Sequence, residues 1–544
     1  AARMRFARPI RWILASLDGQ LVPFDIEGVQ AGLMSRGHRF YAPEEFESTT
    51  LNQLITDLRA RKVEPDPDKR RERIVDETQK VAGGTPYMTD ALIDENVFLT
   101  EWPTAIAGEY REEFRELPEP VLITAMAKHE KMFPVRDAGG KLTTTFVFIR
   151  NSGEDDSVRN GAAWVLNARF NDAKFFFDED KKHSLDDFLD KTSGILFQEK
   201  LGSVRLRADR LAKLAQEIAR QTGADSDEVE AARLAGLFAK ADLSTGLVSE
   251  LSSLQGVIGG EYGRREGLPD PVCWAIASQY DLAKNPEATC PGSRTALRLI
   301  IADQLDKLAG YLGQGLTPSG SSDPYGLRRA ATILIECAWL WPHPLPGYDD
   351  LLRLAIRNYE GVALDEDKAL AAFAEVMASR YEALLPDARY DLLDAALRGR
   401  TPEDVGSPRL VKFRLRALES LAEDVPFIQT ATRPLNIVSA AAKKGISFGS
   451  TFEGAGNLQS ADGEALLMAS EHQRSPIGQA VANEDDALLT RSLRALAEPI
   501  TRFFDSTMVM AEDEQVRSAR LTLLNLVSKQ LLAAGDWSKV VIEG

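Results

Sequence analysis

A chain of 544 residues that is 44% hydrophobic is long enough for several cores, since single cores stop growing near about 250–300 residues, so three or four domains are expected. Its 82 acidic residues outnumber 65 Lys and Arg to give a net charge of −17, which argues against a general nucleic-acid or anionic-membrane binder, because phosphate affinity comes from clustered cations, while leaving room for local basic patches. Three cysteines without a CxxC pair exclude a disulfide framework and fit a reducing cytosol, and no stretch of roughly eighteen apolar residues is present to span a membrane.

The start, AARMRFARPIRW, lacks an initiator Met and an apolar signal core, and reads as the beginning of a segment cut from a longer chain. Residues 1 to about 190 have a mixed α/β texture. IRWILASLDGQLVPFDI predicts strand, Asp-Gly turn and strand. MFPVRDAGGKLTTTFVFIR repeats the pattern with a longer Gly-rich turn, and DPDKRRERIVDETQK between them predicts a charged, exposed helix. From about 195 the period becomes helical. RLRADRLAKLAQEIARQTG sets Leu206, Leu211, Leu214 and Ile218 near one stripe and stops at Gly223. EVEAARLAGLFAKADLSTGLVSEL and RTALRLIIADQLDKLAGYL are also helical. GLTPSGSSDPYG is the clearest loop, almost everything after it has helical period, and ISFGSTFEGAGNLQSADGE is a second loop.

Few chemical motifs emerge. There is no P-loop. The Gly-rich GVIGGEYGRR follows a helix and lacks the Lys-Ser/Thr of a phosphate cradle, so a structural turn is expected. It and FREL at 114–117 share letters with ATP-binding motifs of class II aminoacyl-tRNA synthetases, but both are too short to identify an ATP site. The five histidines, His38, His129, His183, His343 and His472, are scattered without HxH or HxxxH spacing, which excludes a His-based metal site. For His129, in MAKHEKMFPV, a packed or capping role is expected. LAGLFAKADLST has the rhythm of the HD metal-phosphohydrolase helix, but Ala239 and Lys240 stand where that family has adjacent His and Asp. Asp303 in IADQLDKL would be the remaining ligand, and one carboxylate beside a lysine holds a divalent ion poorly. No catalytic residue and no metal ligand are therefore assigned.

Nine motifs, in order and in register, carry a resemblance: RFARPIRW, SRGHRF, MAKHEKMFPVRDAGGKL, VLNARFNDAKFFFDED, FQEKLGS, FAKADLSTGLVSEL, LQGVIGGEYG, TPSGSSDPYGLRRAA and FFDSTMVMAEDEQVRSARLTLL. They resemble the β subunit of the bacterial tetrameric (α2β2) glycyl-tRNA synthetase over nearly the whole chain, and the family's chains begin with a further segment absent here. The resemblance implies a multidomain, mainly α fold: an N-terminal α+β module of B3/B4 type at 1–190, a degenerate HD-like helical domain at 191–325, a helical body or linker at 326–401, and a C-terminal helical anticodon-binding bundle at 402–544. It further implies a cytoplasmic, tRNA-binding, non-adenylating chain. ATP and Mg2+ would be used by the α subunit, so no cofactor is expected here, and the partners would be that subunit and tRNA(Gly). Two departures stand out. The family's Arg-x-Asn-Arg is Arg517, Ser518, Ala519, Arg520, and its GNERVL is NGAAWVL at 160–166.

Near the end, RSLRALAEPITRFFD places Leu493, Leu496, Ile500 and Phe503 or Phe504 on one helical face. The acids 512–514 suit the positive N-terminus of a following helix, whose stripe is Val516, Leu523, Leu524, Val527 and Leu531. FFDSTMVM is then a buried corner. Arg517 and Arg520, one turn apart, either present a forked pair to phosphate or base edges or form salt bridges to the neighbouring acids. Arg409, Lys412 and Arg416 share one face of RLVKFRLRALESL and are the best local candidates for an RNA backbone contact. Two rival functions remain open on sequence grounds, an HD-type metal phosphohydrolase and an RNA-independent helical scaffold.

Overall fold

The computed structural model describes residues 9–284, 290–320, 322–342, 344–452 and 457–542. The first residues of the N-terminal motif, Ser321 in the first loop, His343 and the middle of the second loop (453–456) lie outside the described residues. The chain divides into two compact units, Ala1–Ser184 with Thr245–Ile258, and Leu185–Ser244 with Gly259–Gly544.

The first unit holds most of the β structure; a short antiparallel pair, Leu196–Gln198 with Gly202–Ser203, belongs to the second. Ser16–Leu17 and Gln20–Leu21 form the expected hairpin, and Asp18 and Gly19 both take positive φ, 50° and 81°, the turn geometry that matches strand twist. The second expected hairpin pairs Phe133–Arg136 with Leu142–Arg150. It is the centre of a four-stranded antiparallel sheet that Thr104–Glu109 and Thr85–Pro86 complete at the edges. Strand side chains alternate between faces, and Phe133, Val135 and Val147 meet Ile74, Leu92 and Val97 in one core. Ile74 comes from the charged helix Pro67–Val81, which buries only that residue and Thr78. The helix Asp155–Asp180 anchors itself through Phe170 and Phe177. At its end the Asp180 carboxylate accepts from the backbone N–H groups of Gly246 and Leu247, at 2.8 and 2.9 Å, so a negative charge sits at the start of the helix Gly246–Glu250. His129 is exposed at the end of the π-helical turn Thr124–His129, not packed as expected, because that wider turn rotates it out of the face that buries Ala125 and Met126.

In the second unit, the helices Val204–Gln221 and Ser226–Phe238 pack as a hairpin around Gly223, whose φ is +71°. Their approach requires Gly236, where a Cβ would lie 2.6 Å from the Leu211 carbonyl. Leu211, Leu214 and Ile218 are buried as expected, whereas Leu206 is 54% exposed: it belongs to the first turn, before the stripe meets its neighbours. Of GVIGGEYGRR only Gly256, at φ +83°, makes the expected turn; the rest is helical over Val257–Arg265. Its glycines serve contact, since a Cβ on Gly260 would stand 2.5 Å from the Cys273 carbonyl of the helix Asp270–Ser278. The helix Pro291–Gly313 is buried almost all round, as a helix at the centre of a helical layer must be.

The remainder is helical. Pro408–Glu419, Val425–Lys443, Ala461–Asn483, Asp486–Ser506 and Glu514–Leu531 enclose one core that includes Phe413, Phe427, Leu466, Leu493, Leu524 and Trp537. Asp513 caps the last of these helices, accepting from Gln515 and Val516 N–H at 2.8 and 3.1 Å, as the acidic run predicted. The corner before it is only half buried: Phe503, Thr507 and Val509 point inward, while Met508 and Met510 are exposed. Among the described residues no helix is long and apolar enough to cross a membrane.

Candidate nucleic-acid interface

The helix Pro408–Glu419 has the face that its sequence predicts. Phe413 and Ala417 are buried, with Leu421 just beyond it, and Arg409, Lys412 and Arg416 lie on the opposite side. That side is not a free basic patch. Arg409 donates from Nε and Nη2 to the two carboxylate oxygens of Glu484, both at 2.8 Å, and from Nη1 to the Trp341 carbonyl. Arg416 Nε stands 3.3 Å from Asp486 Oδ1. Lys412 is exposed, its ammonium 4.8 Å from the centre of the Trp339 ring, a cation–π contact that leaves the charge facing water. Of three cations, one is locked, one is loosely paired and one is open.

Arg517 and Arg520 sit one turn apart, yet neither pairs with the acids 512–514. Arg517 Nη1 donates to the carbonyls of Ala511 and Glu512, at 3.1 and 3.3 Å. Arg520 donates to the carbonyls of Leu458, Met508 and Gln459, at 3.0, 2.7 and 3.2 Å. The Arg520 guanidinium thus ties two separate backbone segments to its own helix and satisfies acceptors left over by the corner and the loop before residue 461.

A different polar stripe escaped the sequence reading. On the helix Val425–Lys443, Gln429, Arg433 and Asn436 recur at i, i+4 and i+7 and are all exposed, while Phe427, Ile428, Ala431 and Leu435 are buried beneath them. The stripe borders an open groove of about 600 Å³ whose other walls are Thr430, Thr501, Trp537 and Ser538. Thr430 and Thr501 hydroxyls meet at 3.4 Å. The Arg433 guanidinium lies 5.1 Å from the centre of the Phe504 ring, and its nearest carboxylate oxygen, on Asp505, is 3.8 Å away. The signal was present as a helical period of amides and one arginine, but a search for clustered positive charge passes over it.

The charged locus around Asp303 has the opposite character. The buried Lys240 ammonium approaches Asp303 Oδ1 at 3.2 Å and donates to Gln279 Oε1 and the Tyr280 hydroxyl, at 2.7 and 2.8 Å. Arg207 reaches Asp303 at 3.1 Å and Asp306 at 3.3 Å, and Arg210 reaches Asp306 at 2.6 Å. Burial alone would raise the Asp303 carboxyl, but Arg207 and Lys240 outweigh it and hold the group below the usual carboxylate range. The carboxylate read from sequence as a remaining metal ligand is therefore the counter-ion of two cations. Among the described residues, no three His, Cys, Asp or Glu side chains are placed to hold a metal ion.

The family model described as glycyl-tRNA synthetase beta subunit matches residues 1–398, and the one described as DALR anticodon binding domain matches residues 428–536. Among curated relatives, the glycine–tRNA ligase beta subunit of Desulfitobacterium hafniense (strain DSM 10664 / DCB-2) is 33% identical over 98% of this chain and 77% of its own length. That of Syntrophotalea carbinolica is 34% identical over 99% and 78%, and that of Oenococcus oeni 31% over 99% and 79%.

Proposed function

Because the chain belongs to the glycyl-tRNA synthetase beta-subunit family, we propose that it acts as the tRNA-binding subunit of a glycine–tRNA ligase and positions tRNA(Gly) for glycylation at an active site on a partner α subunit. The observation that carries this reading is the order of the two matches: the beta-subunit match over 1–398 is followed in the same chain by an anticodon-binding match over 428–536. ATP and Mg2+ are then used by the α subunit, and an α2β2 assembly is the arrangement proposed. The N-terminal α+β region to about 190 is read as a B3/B4-like module, 191–325 as an HD-like domain, 326–401 as a helical body, and 402–544 as the anticodon-binding bundle.

The contacts of Asp303 weigh against the phosphohydrolase alternative, since an ammonium and a guanidinium already neutralise its carboxylate. The anticodon-binding match weighs against a scaffold without RNA. Glycylation of tRNA(Gly) by α alone and by α with this chain tests the proposal. A charging rate raised by adding the chain is expected, with no glycine-dependent pyrophosphate exchange by the chain alone. Full charging by α alone, or robust exchange without α, would overturn it.

A further inference from the structure

A cleft of about 540 Å³ opens in the second unit beside the first turns of Val204–Gln221, a size within the range of roughly 300–1,000 Å³ usual for small-molecule sites. Its rim is the turn between Leu196–Gln198 and Gly202–Ser203. That turn is fixed locally. The Gln198 amide oxygen accepts from the backbone N–H groups of Lys200 and Leu201, at 2.7 and 3.0 Å. Gly202 takes φ +88°, and a Cβ there would stand 2.8 Å from Leu206 Cδ1. The floor is equally well held. Arg210 is bonded to Asp306 and lies against the Tyr359 ring, whose hydroxyl donates to the Asp306 carbonyl at 2.8 Å. Leu206, Leu237 and Val362 add aliphatic surface to the walls.

Most charges of the cleft are already matched. Lys213 pairs with Glu360 at 2.8 Å, Arg233 with Glu230 at 2.6 Å, and Asp209 with Arg205. The exposed side chains of Glu199 and Lys200 have no hydrogen bond or ion pair among the described residues, and neither have the half-buried amides of Gln216 and Asn358. What stays open is one carboxylate, one ammonium and two amides that each donate and accept. A phosphate would need an excess of cations, and a polycation an excess of carboxylates. A zwitterion satisfies both open charges at once. In an α-amino acid the ammonium and carboxylate are borne on one carbon, so the groups that recognise them must be neighbours, as consecutive residues on a turn are.

We propose that this cleft binds a free α-amino acid with a branched aliphatic side chain. Glu199 accepts from its ammonium, Lys200 donates to its carboxylate, Gln216 and Asn358 complete the polar contacts, and its methyl groups lie on Leu206, Leu237 and Val362. Glycine has no side chain to cover that surface. The ligand is therefore distinct from the amino acid that the proposed ligase attaches to tRNA, and the inference goes beyond the tRNA-binding reading without depending on it.

The test is isothermal titration calorimetry of the full chain with L-leucine, glycine, N-acetyl-L-leucine, L-leucinamide and the doubly blocked N-acetyl-L-leucinamide. L-Leucine is expected to bind, and glycine to bind at least about tenfold more weakly because it buries no methyl groups. Blocking either end is expected to cost about tenfold, since a bond to a charged group is lost. Glu199→Gln and Lys200→Gln keep the size of the rim side chains and remove their charge. The first is expected to bind L-leucine and N-acetyl-L-leucine alike, and the second L-leucine and L-leucinamide alike. Melting temperatures without ligand are expected to be unchanged, because both side chains are exposed. N-Acetyl-L-leucinamide binding as tightly as L-leucine would show that the cleft takes a polypeptide segment, and would overturn the proposal. So would L-leucine binding that neither substitution weakens, or no heat and no shift in melting temperature at millimolar L-leucine. None of these outcomes bears on tRNA binding, which the glycylation assay tests separately.

Discussion

Two helices of the second unit carry arginines in opposite ways. In Val204–Gln221, Arg207 and Arg210 turn inward onto Asp303 and Asp306, and Arg210 also lies 3.8 Å from the centre of the Tyr359 ring. In Val425–Lys443, Arg433 turns outward, with its nearest carboxylate oxygen 3.8 Å away and neighbouring amides without partners among the described residues. Both helices are amphipathic; the first carries several arginines and the second only Arg433. The difference lies in whether the fold supplies the counter-group. A guanidinium saturated by its own chain holds structure together; one left with open donors is available to a ligand.

The sharpest way to break this contrast is to remove a partner from the saturated locus. Asp306 is 1% exposed and faces both Arg207 and Arg210. Deleting one member of a buried ion cluster leaves uncompensated charge, typically costing about 3–5 kcal/mol. Asp306→Ala is therefore expected to destabilise the second unit by that order in a urea titration. A loss below about 1 kcal/mol would show that the cluster is solvated and the contrast false.

Asp303 sharpens the same comparison through pH. Its carboxyl is held below the usual range in the folded chain, chiefly by Arg207 and then Lys240 against the opposing effect of burial. The folded value is thus lower than the unfolded one. Its stabilising contribution is fully present above the ordinary carboxylate value of about 4 and is lost as pH falls through the folded value. The difference in melting temperature between the parent chain and Asp303→Asn is expected to be constant from neutral pH to about 5 and to shrink below about 4. A difference that does not narrow in acid would mean that Asp303 is not ionised in the fold.

Arg520 and Arg517 make the next smaller contrast. Arg520 satisfies three carbonyls from two distant segments, whereas Arg517 bonds two carbonyls five and six residues before it. Removing a charged donor from partly buried acceptors costs about 1–3 kcal/mol. Arg520→Ala is expected to fall in that range, and Arg517→Ala below it, in thermal unfolding, with tRNA affinity unchanged in both. Weakened affinity at unchanged stability would return them to the RNA surface.

These cases also show what was legible in the sequence. Helical period predicted the stripes through Leu493, Leu496 and Ile500 and through Val516, Leu523 and Leu524, all buried, because amphipathicity is a local pattern. The Asp-Gly hairpin and the acidic cap before residue 514 were legible for the same reason. The partners of the basic residues were not. Arg409 meets Glu484, Arg416 meets Asp486, and Arg520 meets Leu458, each separated by at least sixty residues, so no window of sequence contains both ends. GVIGGEYGRR misled in another way: glycine marks either a turn or a close approach, and only the Cys273 carbonyl against Gly260 decides between them. The groove stripe was missed because amides are polar without carrying charge.

The smallest expected effect belongs to the face of Pro408–Glu419, and it divides the candidates there. Arg409 is doubly bonded to Glu484, so replacing it strips a structural pair and leaves that carboxylate partly buried. Arg409→Ala is expected to lower stability and to leave the salt dependence of tRNA binding where it was. Lys412 is exposed above Trp339, and Arg416 is only loosely paired with Asp486, so both side chains swing to a phosphate at little cost in lost contacts. A chain with net charge −17 repels RNA at long range, and contacts made at close range through released counter-ions must offset that repulsion. Lys412→Ala and Arg416→Ala are each expected to reduce the slope of log affinity against log salt by about one unit. An unchanged slope in both variants would place the phosphate contacts elsewhere on the chain.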